Sequence, residues 1–229
     1  MINFHFFGRE CYIDKELKER QNLQENLTKL NFNFSDILLL NQVHGNDVVV
    51  IADQKQIYGI QDLPKADGIV TNLSNLAIGI VTADCAPILL YDNEQQIIGA
   101  CHAGWRGAKS GIIESTIKAM KKLGANDIKA SIGPTIQQYS YQISQEFYDD
   151  FISLDASSSR FFKADKVANK WLFNLPTFIE NKLSQCGVLD IDNLEIDTYT
   201  NVKNYFSYRR ASHFAQDLDG RNVSIICIN

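Results

Sequence analysis

A mixed α/β (α+β) fold, built as one domain over residues 1–229, is the class that the sequence predicts. Three observations point to it. The composition is that of an ordinary globular protein, 45% hydrophobic and 21% charged, over a length that buries roughly three quarters of its unfolded surface. Short apolar runs of strand length mix with segments of helical period, without the strict alternation of a doubly wound sheet. Proline and glycine are scattered, no internal repeat is visible, and no linker divides the chain.

The elements follow in order. Residues 14–30 carry Leu23, Leu27 and Leu30 on one helical face, with Asp14 placed to cap the start. The runs ILLL (37–40) and VVVI (48–51) read as buried strands on either side of a polar turn, NQVHGND. LAIGIV (76–81), PILLY (87–91) and IIGAC (97–101) are three further strands, with DNEQ (92–95) as a turn. A helix is expected from about Ser110, with Ile113, Ile117 and Met120 on one face and Gly124 at its end. Two more helices are expected near 144–153 and 176–186, the second with Pro176 in its first turn and Gly187 beyond its end. LEID (194–197) and VSIICI (223–228) read as later strands.

Charge and cysteine usage narrow the function. The net charge is -5 and no basic stripe stands out, which argues against a nucleic-acid partner. No apolar run approaches the ~20 residues that span a bilayer, and MINFHFFGRE lacks the basic start of a secretory signal, so no membrane role is expected. The five cysteines are irregularly spaced, with no CxxC pair. Reduced thiols in a cytoplasmic protein are the expectation.

Chemistry concentrates in three polar turns that follow apolar strands. His44 lies in Gln42-Val43-His44-Gly45-Asn46, Cys85 in Thr82-Ala83-Asp84-Cys85-Ala86, and His102 in Ala100-Cys101-His102-Ala103-Gly104. If the strands are neighbours with the same ends aligned, the turns converge into two imidazoles and one thiolate. Three protein ligands with a fourth position open is the pattern of catalytic zinc, where a bound water ionises near a pKa of about 7. Separations of 41 and 17 residues match no local zinc template, so spacing leaves core residues as a standing alternative. Cys101 competes with Cys85 as the sulfur, but it neighbours His102 on a strand and should face the other way. Asp84 is placed to orient a ligand or carry a proton. Arg106, after Trp105 and before a helix, suits an anion. Arg209, in Tyr205-Phe206-Ser207-Tyr208-Arg209-Arg210, stands beside aromatics that suit a base or phosphate. His5 and His213 read as structural or surface residues.

The segments NQVHGNDVV (41–49), ADGIVTN (66–72), VTADCAPILLYD (81–92), GACHAGWRGAKSGI (99–112), IGPTIQQYSYQI (132–143) and FSYRR (206–210) together resemble the YfiH-type family over essentially the whole chain. Its members were labelled polyphenol oxidases or laccase-like proteins. They are described as purine nucleoside phosphorylases with accessory adenosine deaminase and methylthioadenosine phosphorylase activity. The resemblance implies a single-domain α/β sandwich related to cysteine-hydrolase toxin domains. It also implies a metal held by His44, Cys85 and His102, which would be the catalytic centre. Arg9 matches the arginine of the family's N-terminal S-T-R-x-G-G-V-S loop, although Phe6-Phe7-Gly8-Arg9-Glu10 lacks the serine and the glycine pair.

The expected activity is therefore phosphorolysis of adenosine, inosine, guanosine or S-methyl-5′-thioadenosine, with Arg9, Arg106 or Arg209 as phosphate contacts. Zn2+ is the expected cofactor, and His/His/Cys ligation also suits copper. The zinc-deaminase signature, H-x-E with P-C-x-x-C, is absent, so adenosine deamination would need another site design. Three other readings stand beside this one. A copper-dependent polyphenol oxidase is weakened by the presence of only four histidines. A Cys–His hydrolase editing peptidoglycan precursors would use Cys85 as nucleophile and His102 or His44 as base. A non-catalytic binding protein would use the same pocket.

Overall fold

The computed structural model describes residues 1–14, 21–58, 63–216 and 219–229. In chain order the strands are β1 (Ile2–Phe7), β2 (Asp36–Leu38), β3 (Val48–Ile51), β4 (Gly68–Thr71), β5 (Leu76–Thr82), β6 (Ala86–Asp92), β7 (Ile97–Ala103), β8 (Lys129–Ile132), β9 (Gln142–Ser144), β10 (Phe162–Ala164), β11 (Lys170–Phe173), β12 (Ile191–Asn193) and β13 (Asn222–Ile228). The helices are α1 (Gln21–Lys29), α2 (Gln54–Tyr58), α3 (Trp105–Ser110), α4 (Ile112–Leu123), α5 (Gln145–Ile152), α6 (Leu175–Gln185) and α7 (Tyr208–His213).

Two sheets carry the architecture. The first has strand order β1-β13-β5-β2 and the second β12-β8-β6-β7-β4-β3, while β10-β11-β9 form a small separate sheet. Both large sheets are mixed: β2 runs parallel to β5 and β3 parallel to β4, against antiparallel central pairs. Side-chain alternation sorts the residues of each strand onto two faces. In β13, Ile226 and Ile228 enter the layer between the sheets, while Val223, Ile225 and Cys227 face a second cluster beneath α1. In β7, Ile98 and Ala100 face the inter-sheet layer, while Ile97 and Cys101 face α4 and α6. The result is a sandwich of α1, sheet, sheet and helices, with the apolar face of each element buried.

The expected helices and strands form with adjusted boundaries. Leu23 and Leu27 of α1 are fully buried, but Leu30 lies past its end and is exposed. The first turns expected after Asp14 fall at 15–20, outside the described residues. The helix expected from about Ser110 is α4, which starts at Ile112 and is closed by Gly124; a short helix that was not expected, α3, precedes it, and Gly111 at φ +98° separates the two. Asn174 and Ser144 accept backbone N–H bonds at the starts of α6 and α5. Two strand expectations are corrected. Leu39 and Leu40 are buried but lie beyond β2. LEID is not a strand: the strand is β12, just upstream, and Glu195 at φ +53° breaks the extended run. The segment returns to extended pairing only as a bridge between Asp197 and Thr135.

Candidate metal centre

The three predicted ligands meet where the chain crosses between the two sheets. His44 lies in the loop from β2, in the first sheet, to β3, in the second. Cys85 lies in the short connection from β5 to β6, which also passes from one sheet to the other. His102 is inside β7, opposite Pro87 of β6. Two of the three strands are neighbours with aligned ends, as the sequence suggested: β2 and β5, which lead to His44 and Cys85, pair in parallel. His102, however, belongs to β7 of the other sheet, so the convergence is not made by neighbouring strands alone. It comes from two crossovers folding over the end of one strand. One ligand atom from each residue lies within 4.8 Å of the others. Cys85 Sγ stands 3.9 Å from His44 Nε2, and the two imidazole rings meet edge to face at 4.6 Å.

Strand alternation separates the two sulfurs. Cys101 is fully buried among the residues facing α4, on the opposite side of β7 from His102. Burial pushes its thiol up to about 12. Burial pushes Cys85 up as well, but the charge and hydrogen bonds of His102 and His44 outweigh it, and its pKa falls to about 6. His102 moves the other way. Burial favours its neutral form, yet Cys85 and Asp67 raise it to about 9. The pair is a thiolate beside an imidazolium, the protonation that a soft divalent ion displaces on binding.

Asp67 is the residue that sequence reasoning missed as part of the site. It is fully buried, and its Oδ1 lies 2.8 Å from His102 Nδ1. The same carboxylate accepts the backbone N–H groups of Val43 at 3.1 Å, His44 at 2.9 Å and Gly45 at 2.7 Å. Burial opposes its ionisation, but His102 and these amides hold it below the usual carboxylate range. The only sequence signal was an acid followed by glycine at the head of a buried strand, in ADGIVTN. Gln42 anchors the other end of the loop: its side-chain amide donates to the Val81 carbonyl and accepts the Val81 N–H. With Nδ1 engaged by Asp67, Nε2 is the nitrogen of His102 that faces the other two ligands.

The triad opens into a cavity of about 1130 Å3. Arg106 and Arg209, both predicted as anion contacts, line it, together with Lys65, Tyr141 and Arg221, which sequence reasoning did not single out. Arg106 stacks on Trp105, and Arg209 stacks on Tyr141 while donating to the Gln142 carbonyl. Burial is the main cause that keeps the Tyr141 hydroxyl protonated well above its ordinary range. Asp84 is on the wall, but both its carboxylate oxygens are engaged: one accepts from the Thr198 hydroxyl at 2.6 Å, the other from the Arg209 backbone N–H at 2.6 Å. It thereby fixes the segment that presents Arg209. Arg9 is not brought to the cavity; it stacks on Phe206 and donates to the Tyr205 carbonyl. Arg210 is buried and ties down the Thr198, Tyr199 and Tyr205 carbonyls. His5 packs on Phe7, and His213 pairs with the Tyr199 hydroxyl.

Fold and site together define a class: a two-sheet α/β chain with a His/Cys/His cluster at the floor of a cationic cavity. Residues 9–229 match the family described as "Multi-copper polyphenol oxidoreductase laccase". The chain belongs to this family, the YfiH-type family. Among its relatives, a "Purine nucleoside phosphorylase" of Rickettsia conorii is 42% identical over 195 residues, covering 85% of this chain and 79% of that protein. The "Purine nucleoside phosphorylase YfiH" of Escherichia coli is 31% identical, covering 75% of this chain and 67% of that protein. A crystal structure of a Bacillus licheniformis hypothetical protein YfiH superposes with a TM-score of 0.78 at 25% identity, covering 91% of this chain and 80% of that one. A Neisseria meningitidis protein superposes with a TM-score of 0.76 at 27% identity, covering 92% and 81%. No helix among the described residues is long and apolar enough to cross a membrane.

Proposed function

We propose that the chain is a purine nucleoside phosphorylase acting on adenosine, inosine, guanosine and S-methyl-5′-thioadenosine, with accessory adenosine deaminase activity. The observation that carries this reading is the charge of the cavity. In a chain of net charge -5, Lys65, Arg106, Arg209 and Arg221 all line one pocket, and the carboxylate on its wall, Asp84, has both oxygens engaged. Such a pocket recruits an anionic co-substrate, and inorganic phosphate fits it. The names of the relatives support the same substrate pair.

In phosphorolysis a phosphate oxygen forms a bond to C1′ of the sugar, the bond from C1′ to N9 breaks, and the departing base takes a proton. Arg209 and Arg106 serve to hold the phosphate, a positioning task on which bond exchange at C1′ depends. Tyr141, kept protonated, offers a hydrogen bond to the base or sugar across the same wall. The donor set of two imidazole nitrogens and one thiolate, with an open side toward the cavity, fits Zn2+, and copper is the other ion it suits. His44, Cys85 and His102 would hold the metal, and a bound Zn2+ would supply Lewis-acid polarisation of a substrate oxygen or nitrogen. Five free thiols in the chain support residence in the reducing cytoplasm. The test is direct. Purified protein incubated with adenosine or inosine and phosphate is expected to release the free base and ribose 1-phosphate; a protein that releases neither is not a phosphorylase.

A second reading has its own support. Cys85, His102 and Asp67 form a nucleophile, a base and an orienting carboxylate in sequence of contact, which is the arrangement of a Cys–His hydrolase. One sulfur does not serve both as ligand and as free nucleophile. Stoichiometric zinc retained by the wild type and lost in Cys85→Ala favours the metalloenzyme. Metal-free protein inactivated by a thiol alkylator favours the hydrolase, whose candidate substrates are peptidoglycan-precursor amides.

A further inference from the structure

We propose that Asp67 is the positioning residue that sets the metal affinity of the site, because a single carboxylate holds both histidines. This inference rests on the metal reading above. A carboxylate on the far nitrogen of a metal-bound imidazole is common chemistry: it fixes the tautomer and raises ligand basicity. Here the carboxylate reaches further. Toward His102 it accepts from Nδ1, which leaves Nε2 for the ion. Toward His44 it acts through the backbone, collecting three successive N–H groups of residues 43–45.

Those three bonds hold a backbone conformation that is uncommon for a residue with a side chain. The φ of His44 is +61°, in the left-handed region. Three amides pointing at one buried anion form a nest, and the charge at its centre supplies the compensation. Removing that charge by substitution releases the loop as well as the ring. Asparagine cannot substitute, because its NH2 group presents donors where the backbone presents donors. Glutamate is one methylene longer in a fully buried position. Asp67 itself never contacts the cavity or the substrate; it acts through the two ligands.

The site therefore behaves as one preorganised unit. Loss of Asp67 removes the correct tautomer at one ligand and the correct backbone at another. Loss of an orienting partner at a single histidine costs about 10–100-fold in metal affinity, so Asp67→Asn is expected to reach or exceed the upper end of that range.

The experiment measures Zn2+ affinity by competition with a chromophoric chelator, and the visible absorption of the Co2+ form, for wild type, Asp67→Asn and Asp67→Glu. Asp92→Asn is the control. Asp92 is a second buried carboxylate that accepts four backbone N–H groups; it ends β6, at the opposite end of that strand from Cys85, and stands outside the cavity lining. A loss of metal affinity in both Asp67 variants, with retained affinity in Asp92→Asn at comparable loss of thermal stability, supports the inference. Asp67→Asn that binds Zn2+ within about threefold of wild type, with an unchanged Co2+ spectrum, overturns it. Wild-type protein that takes up neither ion overturns the metal reading and this inference with it. Nitrogen-15 NMR of wild-type histidines covers the case in which the variants do not fold: protonated Nδ1 and metal-shifted Nε2 at His102 support the inference, and a metal-shifted Nδ1 overturns it.

Discussion

Gly104 and Cys85 approach so closely that a Cβ on Gly104 would stand 2.8 Å from Cys85 Sγ and 3.3 Å from the His44 ring. The backbone at Gly104 is ordinary extended geometry, φ −71° and ψ 167°. Alanine fits that conformation without strain, so the cost of Gly104→Ala is purely steric and falls on the sulfur. The expected outcome is a destabilisation of about 1–3 kcal/mol, typical of overpacking, together with displaced Cys85 and reduced zinc content. Thermal melts and metal analysis on the same preparation check both.

The acid–base state of the stripped site gives a second prediction. Cys85 has its pKa lowered to about 6 and His102 has its raised to about 9. The thiolate's contribution to stability is present at high pH and is lost as pH falls through about 6. The imidazolium's contribution is present at low pH and is lost as pH rises through about 9. Their mutual attraction therefore operates between those limits. In chelator-stripped protein, alkylation of Cys85 is expected to reach half its plateau rate near pH 6, while Cys101, pushed to about 12, stays unreactive. Mass-resolved alkylation across pH 5–9 reads the two cysteines separately. Full zinc loading is expected to protect Cys85.

The arginines make a third prediction. Arg209→Ala and Arg106→Ala are expected to raise the KM for phosphate by roughly 10–100-fold, the loss of one charge-assisted hydrogen bond each. Arg9→Ala is expected to leave it within about twofold, since Arg9 lies on Phe206 outside the cavity. Initial rates at varied phosphate and saturating nucleoside distinguish them.

The fourth concerns stability alone. Asp92 is almost fully buried, and its two oxygens receive the N–H groups of Glu94, Gln95, Asn126 and Asp127. Burial opposes ionisation, but those four donors hold its pKa below the usual range. Its contribution is present at neutral pH and is lost as pH falls through the carboxylate range. Asp92→Ala is expected to cost about 1–3 kcal/mol by stranding buried donors, with zinc content and nucleoside turnover retained. Thermal melts at pH 7 and at about pH 2, below the ordinary carboxylate range, are expected to differ less in the variant than in the wild type.

How much of this was legible in the sequence depends on the range over which each signal acts. Local signals were readable. The period of Ile113, Ile117 and Met120, the proline and glycine around α6, and the alternation along β7 that turned Cys101 away from His102 all act within a few residues. The sheet assignment of β5 was not readable, because the strand LAIGIV carries no mark of which sheet it joins; that choice is made by β13, some 140 residues on. Asp67 was missed for the same reason. Its partners are 22–35 residues away in sequence, and a lone acid beside a glycine looks like any turn. LEID failed on a single backbone angle at Glu195 that its strand-like composition conceals.

The His44 loop is moored at one end to β5 of the first sheet, through Gln42, and at the other to Asp67 at the head of β4 in the second. Cys85 spans the same gap. An ion held by His44, Cys85 and His102 is consequently a rivet between the layers of the sandwich. Its removal is expected to loosen their mutual docking before either sheet unravels, so amide exchange at the β5 and β4 ends would rise together on chelation. The catalytic fitness of such a protein and the cohesion of its two halves would then be read from the same quantity, the occupancy of one site.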